Sequence, residues 1–346
     1  MTILESLKQY FGFDGFRAGQ EKVITSLLNG HSSLAVFPTG SGKSLCYQLP
    51  ALHFPGLTVV ISPLIALMKD QIDFLHSKGI PAAKIDSSLS YEEVKNVWQG
   101  IENGSLKLLY IAPERLANEK FLQRLQKSRI SMMVVDEAHC MSEWGHNFRP
   151  DYLKLPQVAQ ALQAERVLAL TATATPAVAQ NICQLFSIAA ESYVNIGYYR
   201  PNLKIRLTPI HQEQKQAHLL QRLTSQASGA TIIYVTLQKE TEDLASFLRA
   251  HHFKALSSHA GMKSEDRTAI QEEFMNSKDS IVVATIAFGM GIDKSDIRYV
   301  YHYNLPKSME NYSQEIGRAG RDGQASVCEV LACDSDRIVL ENFTYG

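Results

Sequence analysis

Along most of the chain, short runs that are apolar at every position alternate with longer amphipathic stretches. Runs at 33–37, 58–61, 82–85, 107–111, 132–135 and 166–170 read as strands, with helices at 64–76, 91–103 and 114–127 among them. A strand apolar throughout, rather than at every second position, is covered on both faces, and that is the habit of a parallel sheet wrapped by helices. A second series follows, with strands at 203–207, 231–235, 255–258, 281–284, 299–302 and 326–331. Its helices fall at 214–226, 239–249, 264–276 and 308–316. The pattern predicts an α/β chain of two domains, 1–203 and 204–346, each a mostly parallel sheet flanked by helices, with a hinge near 200–205. Two short helices precede the first strand, and Gly12 ends the first of them.

In open sheets of this kind, ligands bind beyond the carboxyl ends of the strands. Five polar clusters fall at such ends: 38–44, 62–63, 112–114, 136–137 and 171–174. The first is Pro38-Thr39-Gly40-Ser41-Gly42-Lys43-Ser44, between a strand and the helix beginning at Leu45. Glycines there let backbone N–H groups turn toward phosphates, and Lys43 reaches the β and γ oxygens. Ser44 is placed to ligate Mg²⁺, and the helix N-terminus adds its positive dipole end. Phe37 stands where the usual phosphate loop has its first glycine.

Asp136 and Glu137 end the run 132–135. Alone, two acids after a strand read equally as a helix start. Beside a phosphate loop they acquire a role, because the Mg²⁺ needs a carboxylate opposite Ser44. Asp136 would hold the metal, and Glu137 would orient or deprotonate the attacking water. His139 is either a relay or a satisfied structural histidine. Directly behind lies a segment carrying Trp144, His146, Phe148 and Arg149, rings and a guanidinium suited to nucleic-acid bases.

Composition narrows the partners. With 346 residues and a formal net charge of −1, the chain has room for two cores and no general attraction to nucleic acid. DNA contact must come from local basic patches and stacking. Five scattered cysteines form no zinc-ligand spacing, which predicts buried thiols in a reducing compartment and no zinc in this chain. No leader-like apolar segment and no membrane-length apolar run occur, so the expectation is a cytoplasmic protein.

Near the end, Gln314, Arg318 and Arg321 fall at i, i+4 and i+7, one stripe if a helix continues through them. Gly317 and Gly320 weaken such a helix, so the stripe needs another reason. A solvated charged face is one reading. The other is close approach to a polyphosphate, with an arginine finger stabilising charge on the γ-phosphate. The segment 13–20, Phe-Asp-Gly-Phe-Arg-Ala-Gly-Gln, reads on residue types as a helical turn with an aromatic plug.

Taken together, Phe16 to Gln20, Thr39 to Gln48, the Asp-Glu-Ala-His box at 136–139, and 143–150 (Glu-Trp-Gly-His-Asn-Phe-Arg-Pro) resemble the RecQ family of superfamily-two DNA helicases. Residues 287–294 (Ala-Phe-Gly-Met-Gly-Ile-Asp-Lys) and 314–323 complete the set, in family order from about residue 8 to 323. The resemblance implies two tandem RecA-like domains with ATP between them. Phe13 would stack on adenine, and Arg17 and Gln20 would read its edge. Trp144, His146, Phe148 and Arg149 match the family's aromatic-rich loop, which senses single-stranded DNA and triggers hydrolysis. Arg321 matches the arginine finger, with Arg318 beside it. It further implies 3′ to 5′ movement on single-stranded and partly duplex DNA, a role in DNA repair and recombination, and a monomeric motor. The family's zinc module and winged helix usually follow the second domain. The chain ends at Gly346, so it reads as a fragment or as a member with the motor alone. An RNA helicase and a nucleotide-gated clamp without net movement are the rival readings.

Overall fold

A computed structural model of the chain describes residues 2–63, 65–86, 88–142, 149–289, 292, 294–338 and 341. The chain divides between Tyr198 and Tyr199 into two units, described separately below.

The first unit is built on a strand that water never reaches. Ile130–Val135 is buried at every position. Its two apolar faces are satisfied by helices on both sides of the sheet. The strands are β1 (Ser33–Val36), β2 (Leu57–Ile61), β3 (Ala82–Ile85), β4 (Leu108–Ile111), β5 (Ile130–Val135), β6 (Val167–Thr171) and β7 (Tyr193–Asn195). They lie in the order β3-β4-β2-β5-β6-β1-β7, and every pairing is parallel. One core packs Leu34, Val59, Met133 and Ala169 beneath the helices Tyr91–Glu102 and Pro176–Leu185. The other packs Ala35, Val60, Val134 and Leu168 against Gln20–Leu28 and Leu45–His53.

Register decides where the chemistry falls. Val135 pairs with Ile61 on one side, and β5 continues in register with β6, Val135 facing Ala169. Val36 faces Thr171 across β1 and β6, and the ladder extends by one bond, from Phe37 N to Thr171 O at 3.0 Å. Asp136 N likewise reaches Ile61 O at 2.9 Å. The carboxyl ends of β1, β2, β5 and β6 therefore sit side by side at one rim. The expected strands are all present. The strand missing from the sequence reading is β7, three residues with a single buried side chain, Val194, too short to show a period.

In the second unit, β8 (Leu203–Pro209), β9 (Ala230–Tyr234), β10 (Ala255–Ser258), β11 (Ile281–Ala284), β12 (Ile297–His302) and β13 (Ser326–Ala332) form a sheet ordered β10-β11-β9-β12-β13-β8, again parallel throughout. Residues 199–202 belong with it, which places the division slightly before the expected 203/204. Arg200 Nη2 donates to Gly320 O at 2.7 Å, and Asn202 Nδ2 donates to the same oxygen at 2.9 Å. Those bonds explain Gly320, which has φ +55: a Cβ there would meet Asn202 Nδ2 at 2.5 Å and Gln324 O at 2.7 Å. The helix Met309–Ile316 starts under Ser308, whose hydroxyl accepts from Asn311 N, and it stops at Gly317. Arg318 and Arg321 thus sit in turns beyond the helix. The single helical stripe through Gln314, Arg318 and Arg321 is not formed, because the glycines end the helix first.

Candidate nucleotide site and acidic pair

The loop after β1 has the backbone that phosphate binding asks for. Gly40 and Gly42 hold φ of 81° and 82°, a left-handed conformation that side chains resist. At Gly42 a side chain would also collide: a Cβ would lie 2.6 Å from Gln20 Nε2. The loop's carbonyls are tied back by side chains, and Ser41 N closes a turn onto Pro38 O at 3.2 Å. Gln20 Nε2 donates to Gly42 O at 3.0 Å and Ser41 O at 3.3 Å, Arg17 Nη1 donates to Gly40 O at 3.0 Å, and Ser41 Oγ donates to Pro38 O at 2.6 Å. Lys43 Nζ reaches back to Phe37 O at 3.3 Å. Ser44 precedes the helix Leu45–His53, whose first turn opens on the loop.

Of the residues expected to read adenine, Arg17 and Gln20 here brace the phosphate loop instead of standing apart from it. The Gln20 amide is also engaged on its other side, accepting from Arg17 N at 2.8 Å. Phe13 is half exposed, at 47%.

Asp136 and Glu137 leave β5 next door. Asp136 Oδ2 accepts from the Ser62 hydroxyl at 3.2 Å, and Oδ1 accepts from Glu137 N at 3.0 Å. Burial pushes the Asp136 carboxyl up to about 6 and the neighbouring Glu137 charge adds to this, while Lys43, the Glu137 N–H and Ser62 pull the other way. Lys43 and Asp136 therefore feel one another across the rim. Glu137 adopts φ 51, ψ 44, a left-handed conformation without glycine's freedom, at a cost on the order of 1 kcal/mol. Strain of that kind is kept where a side chain must point one particular way.

His139 is buried beneath the pair. Its Nδ1 is 2.9 Å from Thr171 Oγ1 and 3.3 Å from Glu137 Oε2, the second approach lacking hydrogen-bond alignment. The Thr171 hydroxyl donates to Thr173 O at 2.9 Å, so Nδ1 is the donor in the histidine–threonine bond. His139 is thus tied to the 171–174 cluster through Thr171 and lies close to Glu137.

Trp144, His146 and Phe148 lie outside the described residues, but both ends of their segment are anchored on the acid box. Arg149 N donates to Cys140 O at 2.9 Å, and the hydroxyl of Tyr152, fully buried, donates to Asp136 O at 3.0 Å. Sequence reasoning missed Tyr152. The only signal was an aromatic two residues after Pro150, and nothing local says what its hydroxyl meets. It also left Ser62 without a partner.

In the second unit Gln314 sits on the helix Met309–Ile316, and Arg318 and Arg321 are half-buried beyond it. Burial pushes the Tyr234 hydroxyl up to about 12, with the Arg318 guanidinium opposing, the Glu315 charge adding, and Arg321 also opposing. The two arginines therefore converge near the end of β9. Of the 287–294 motif, Met290, Gly291 and Asp293 lie outside the described residues. Lys294 is buried and pairs with Asp296 at 2.8 Å.

A parallel sheet with a braced phosphate loop after one strand and a half-buried acid pair after another is the arrangement of nucleoside-triphosphate-binding proteins of the helicase type. Family comparison agrees: residues 17–182 match the DEAD/DEAH box helicase model, and 214–323 match the helicase conserved C-terminal domain. The chain is 43% identical over 339 residues to the ATP-dependent DNA helicase RecQ of Bacillus subtilis (strain 168), covering 97% of this chain and 57% of that one. It is 44% identical to the ATP-dependent DNA helicase RecQ of Haemophilus influenzae, covering 93% and 52%. To the probable ATP-dependent DNA helicase RecS of Bacillus subtilis it is 41% identical, covering 97% and 68%. The chain belongs to the RecQ family of helicases. It spans about half the length of the RecQ relatives it matches. The fold is also that of S. cerevisiae Dbp5 bound to RNA and ADP BeF3, at 17% identity and TM-score 0.74, covering 99% of this chain and 91% of that one. Tandem RecA-like domains, expected from the resemblance, are thus the fold found. Among the described residues no helix is long and apolar enough to cross a membrane.

Proposed function

We propose that this chain is an ATP-driven DNA helicase motor, turning over ATP in response to single-stranded DNA and using the cycle to move 3′ to 5′ and separate duplex. The observation that carries the reading is the shared rim of the first unit. Parallel register sets the braced loop with Lys43, the Ser62–Asp136 pair and the Thr171–His139 link next to one another.

In this reading the loop N–H groups and Lys43 bind the β and γ phosphates, and a base lies on Phe13. Thr39, Gly40, Ser41 and Gly42 shape the cradle, and Arg17 and Gln20 keep it in shape while bordering the base. The metal-site donors fit Mg²⁺. A single carboxylate backed by a hydroxyl, Asp136 with Ser62, together with Ser44, is the sparse oxygen set Mg²⁺ takes when phosphate and water complete its shell. Bound Mg²⁺ would supply charge neutralisation at the phosphates. Glu137, held in its left-handed conformation, orients the attacking water and takes its proton. Gln314, Arg318 and Arg321 are the candidates for countering charge on the γ-phosphate as it leaves, Arg321 as the finger. Trp144, His146, Phe148 and Arg149 form the DNA-sensing segment, a stacked base contributing about 1–3 kcal/mol. DNA as the strand is supported by kinship with relatives named DNA helicases.

The test is ATP turnover with DNA and RNA oligonucleotides of one sequence, beside strand displacement on a 3′-tailed duplex. The expected result is strong stimulation by single-stranded DNA and ATP-dependent displacement. Stimulation by RNA alone would make it an RNA motor. Turnover without any displacement would make it a nucleotide-gated clamp.

A further inference from the structure

The last residue of β12, His302, belongs to none of the roles above, yet it is among the most enclosed polar side chains of the second unit. It is 1% exposed. Its Nε2 lies 2.6 Å from Glu315 Oε2, and Glu315 is itself buried. A carboxylate only accepts, so Nε2 is the donor. Nδ1 is buried with no hydrogen-bond partner, which leaves the bond to Glu315 as the ring's one polar tie. Aromatic rings close the remaining sides: Tyr234 stacks at 5.3 Å between centroids and Tyr312 meets the ring edge-on at 5.1 Å.

This enclosure sits against the arginine-bearing segment. Glu315 lies in the last turn of the helix Met309–Ile316, and its carbonyl accepts from Arg318 N at 3.3 Å. Tyr234, the ring stacked on His302, is also the side chain at which the charges of Arg318, Glu315 and Arg321 are all felt. One imidazole thus ties the helix end that precedes both arginines, while Arg200 and Asn202 hold Gly320 between them. Beyond Ile316 the chain is turns and glycines, with no helical ladder of its own to set the direction of the guanidiniums.

We propose that His302 is a positioning residue for ATP turnover, acting through Glu315 to hold Arg318 and Arg321 in the geometry that counters charge on the γ-phosphate. The inference rests on the proposed ATPase reading. It requires that losing the imidazole lower kcat without weakening ATP binding, since ATP is held mainly by the first unit's loop. A displacement of about 1 Å in a charge-stabilising group can cost a hundredfold, and we expect a loss of about tenfold or more.

The experiment measures kcat and KM for ATP at saturating single-stranded DNA in His302→Phe, His302→Gln, Arg318→Ala and the double variant His302→Phe with Arg318→Ala. Phe keeps the ring packing and removes the donor, whereas Gln returns an amide N–H near the Nε2 position. The expected result is about a tenfold fall in kcat for His302→Phe with KM within about twofold, substantial recovery in His302→Gln, and little further loss when His302→Phe is added to Arg318→Ala. Equal losses with and without Arg318, or a normal kcat in His302→Phe, would overturn the proposal. If His302→Phe does not fold, Glu315→Met decides. Met keeps the side-chain length and removes the acceptor for His302, so normal kcat there overturns the proposal and reduced kcat at unchanged KM supports it. If Arg318→Ala and Arg321→Ala both turn over ATP normally, the arginine assignment fails and this inference fails with it. If they lose turnover while His302→Phe does not, only this inference fails.

Discussion

Asp136 should make the protein less stable than it would be with an uncharged residue in its place, and the structure sets the size of the effect. Burial and the adjacent Glu137 charge raise its carboxyl from an ordinary 3.8 to about 6. At about 1.4 kcal/mol per pH unit, holding that group ionised in the folded state costs about 3 kcal/mol at high pH. Asp136 keeps some contact with water, which screens part of this, so about 1–2 kcal/mol is the working expectation for Asp136→Asn. The amide oxygen can still accept from Glu137 N and its NH2 can donate to the Ser62 hydroxyl oxygen, so the substitution removes charge with little change in shape. The sign follows from the raised value. Below pH 3.8 the acid is neutral in both states and costs nothing. Between 3.8 and about 6 the folded state holds a proton the unfolded state has lost, and the penalty grows with pH until it is complete above 6. The advantage of Asn should be full at pH 8, about half at pH 5 and nearly gone at pH 4. The assay is urea unfolding in chelator without nucleotide, followed by tryptophan fluorescence. Both tryptophans, Trp98 and Trp144, are in the first unit, so the signal reports that unit alone. A variant no more stable than wild type at pH 8, or one whose advantage is the same at pH 8 and pH 5, would refute the reasoning.

Other expectations concern turnover and packing. Lys43→Ala should abolish ATP hydrolysis; residual turnover near wild type would remove it from the phosphate site. Arg321→Ala should lower kcat by about a hundredfold or more with a small change in KM, as finger removal does elsewhere, and steady-state kinetics reads the split. Trp144→Ala should reduce DNA stimulation far more than basal turnover, and equal losses in the two would end its coupling role. Tyr152→Phe should destabilise the first unit by about 1–2 kcal/mol, because it leaves the Asp136 carbonyl without its buried donor; an unchanged urea midpoint would show that bond to be idle.

The sheets were most legible where a strand is apolar throughout, and Ile130–Val135 is the clearest case, buried at all six residues. The three-residue β7 was not, since one buried valine shows no period. The rim was legible too, because parallel topology alone sends polar clusters to the carboxyl ends. What stayed hidden was tertiary. Ser62 and Asp136 are 74 residues apart in sequence, and no spacing rule pairs them. The same holds for the Tyr152 hydroxyl and the Asp136 carbonyl. The bracing of the phosphate loop by Arg17 and Gln20 was equally unreadable, because both side chains suit a base edge as well as a backbone carbonyl. At Arg318 and Arg321 the period was visible but its premise failed, for glycine ended the helix that would have made the stripe.

The bonds around Asp136 bear on how a strand sensed at one place could affect hydrolysis at another. Its N–H is fixed to Ile61 in β2, its side chain to Ser62 just beyond, and its carbonyl to Tyr152. The first two anchors belong to the buried sheet. The third belongs to a segment of turns beginning at Arg149, itself bonded to Cys140. In the proposed reading, a strand bound near Arg149 would act through these two bonds on the backbone on either side of Glu137, the residue already held in a left-handed conformation at a cost. A strained residue between a rigid anchor and a movable one is where a small push changes side-chain direction most. Under the proposed function, coupling would need no long path through the core, because Arg149 and Tyr152 are bonded to Cys140 and Asp136 on either side of Glu137.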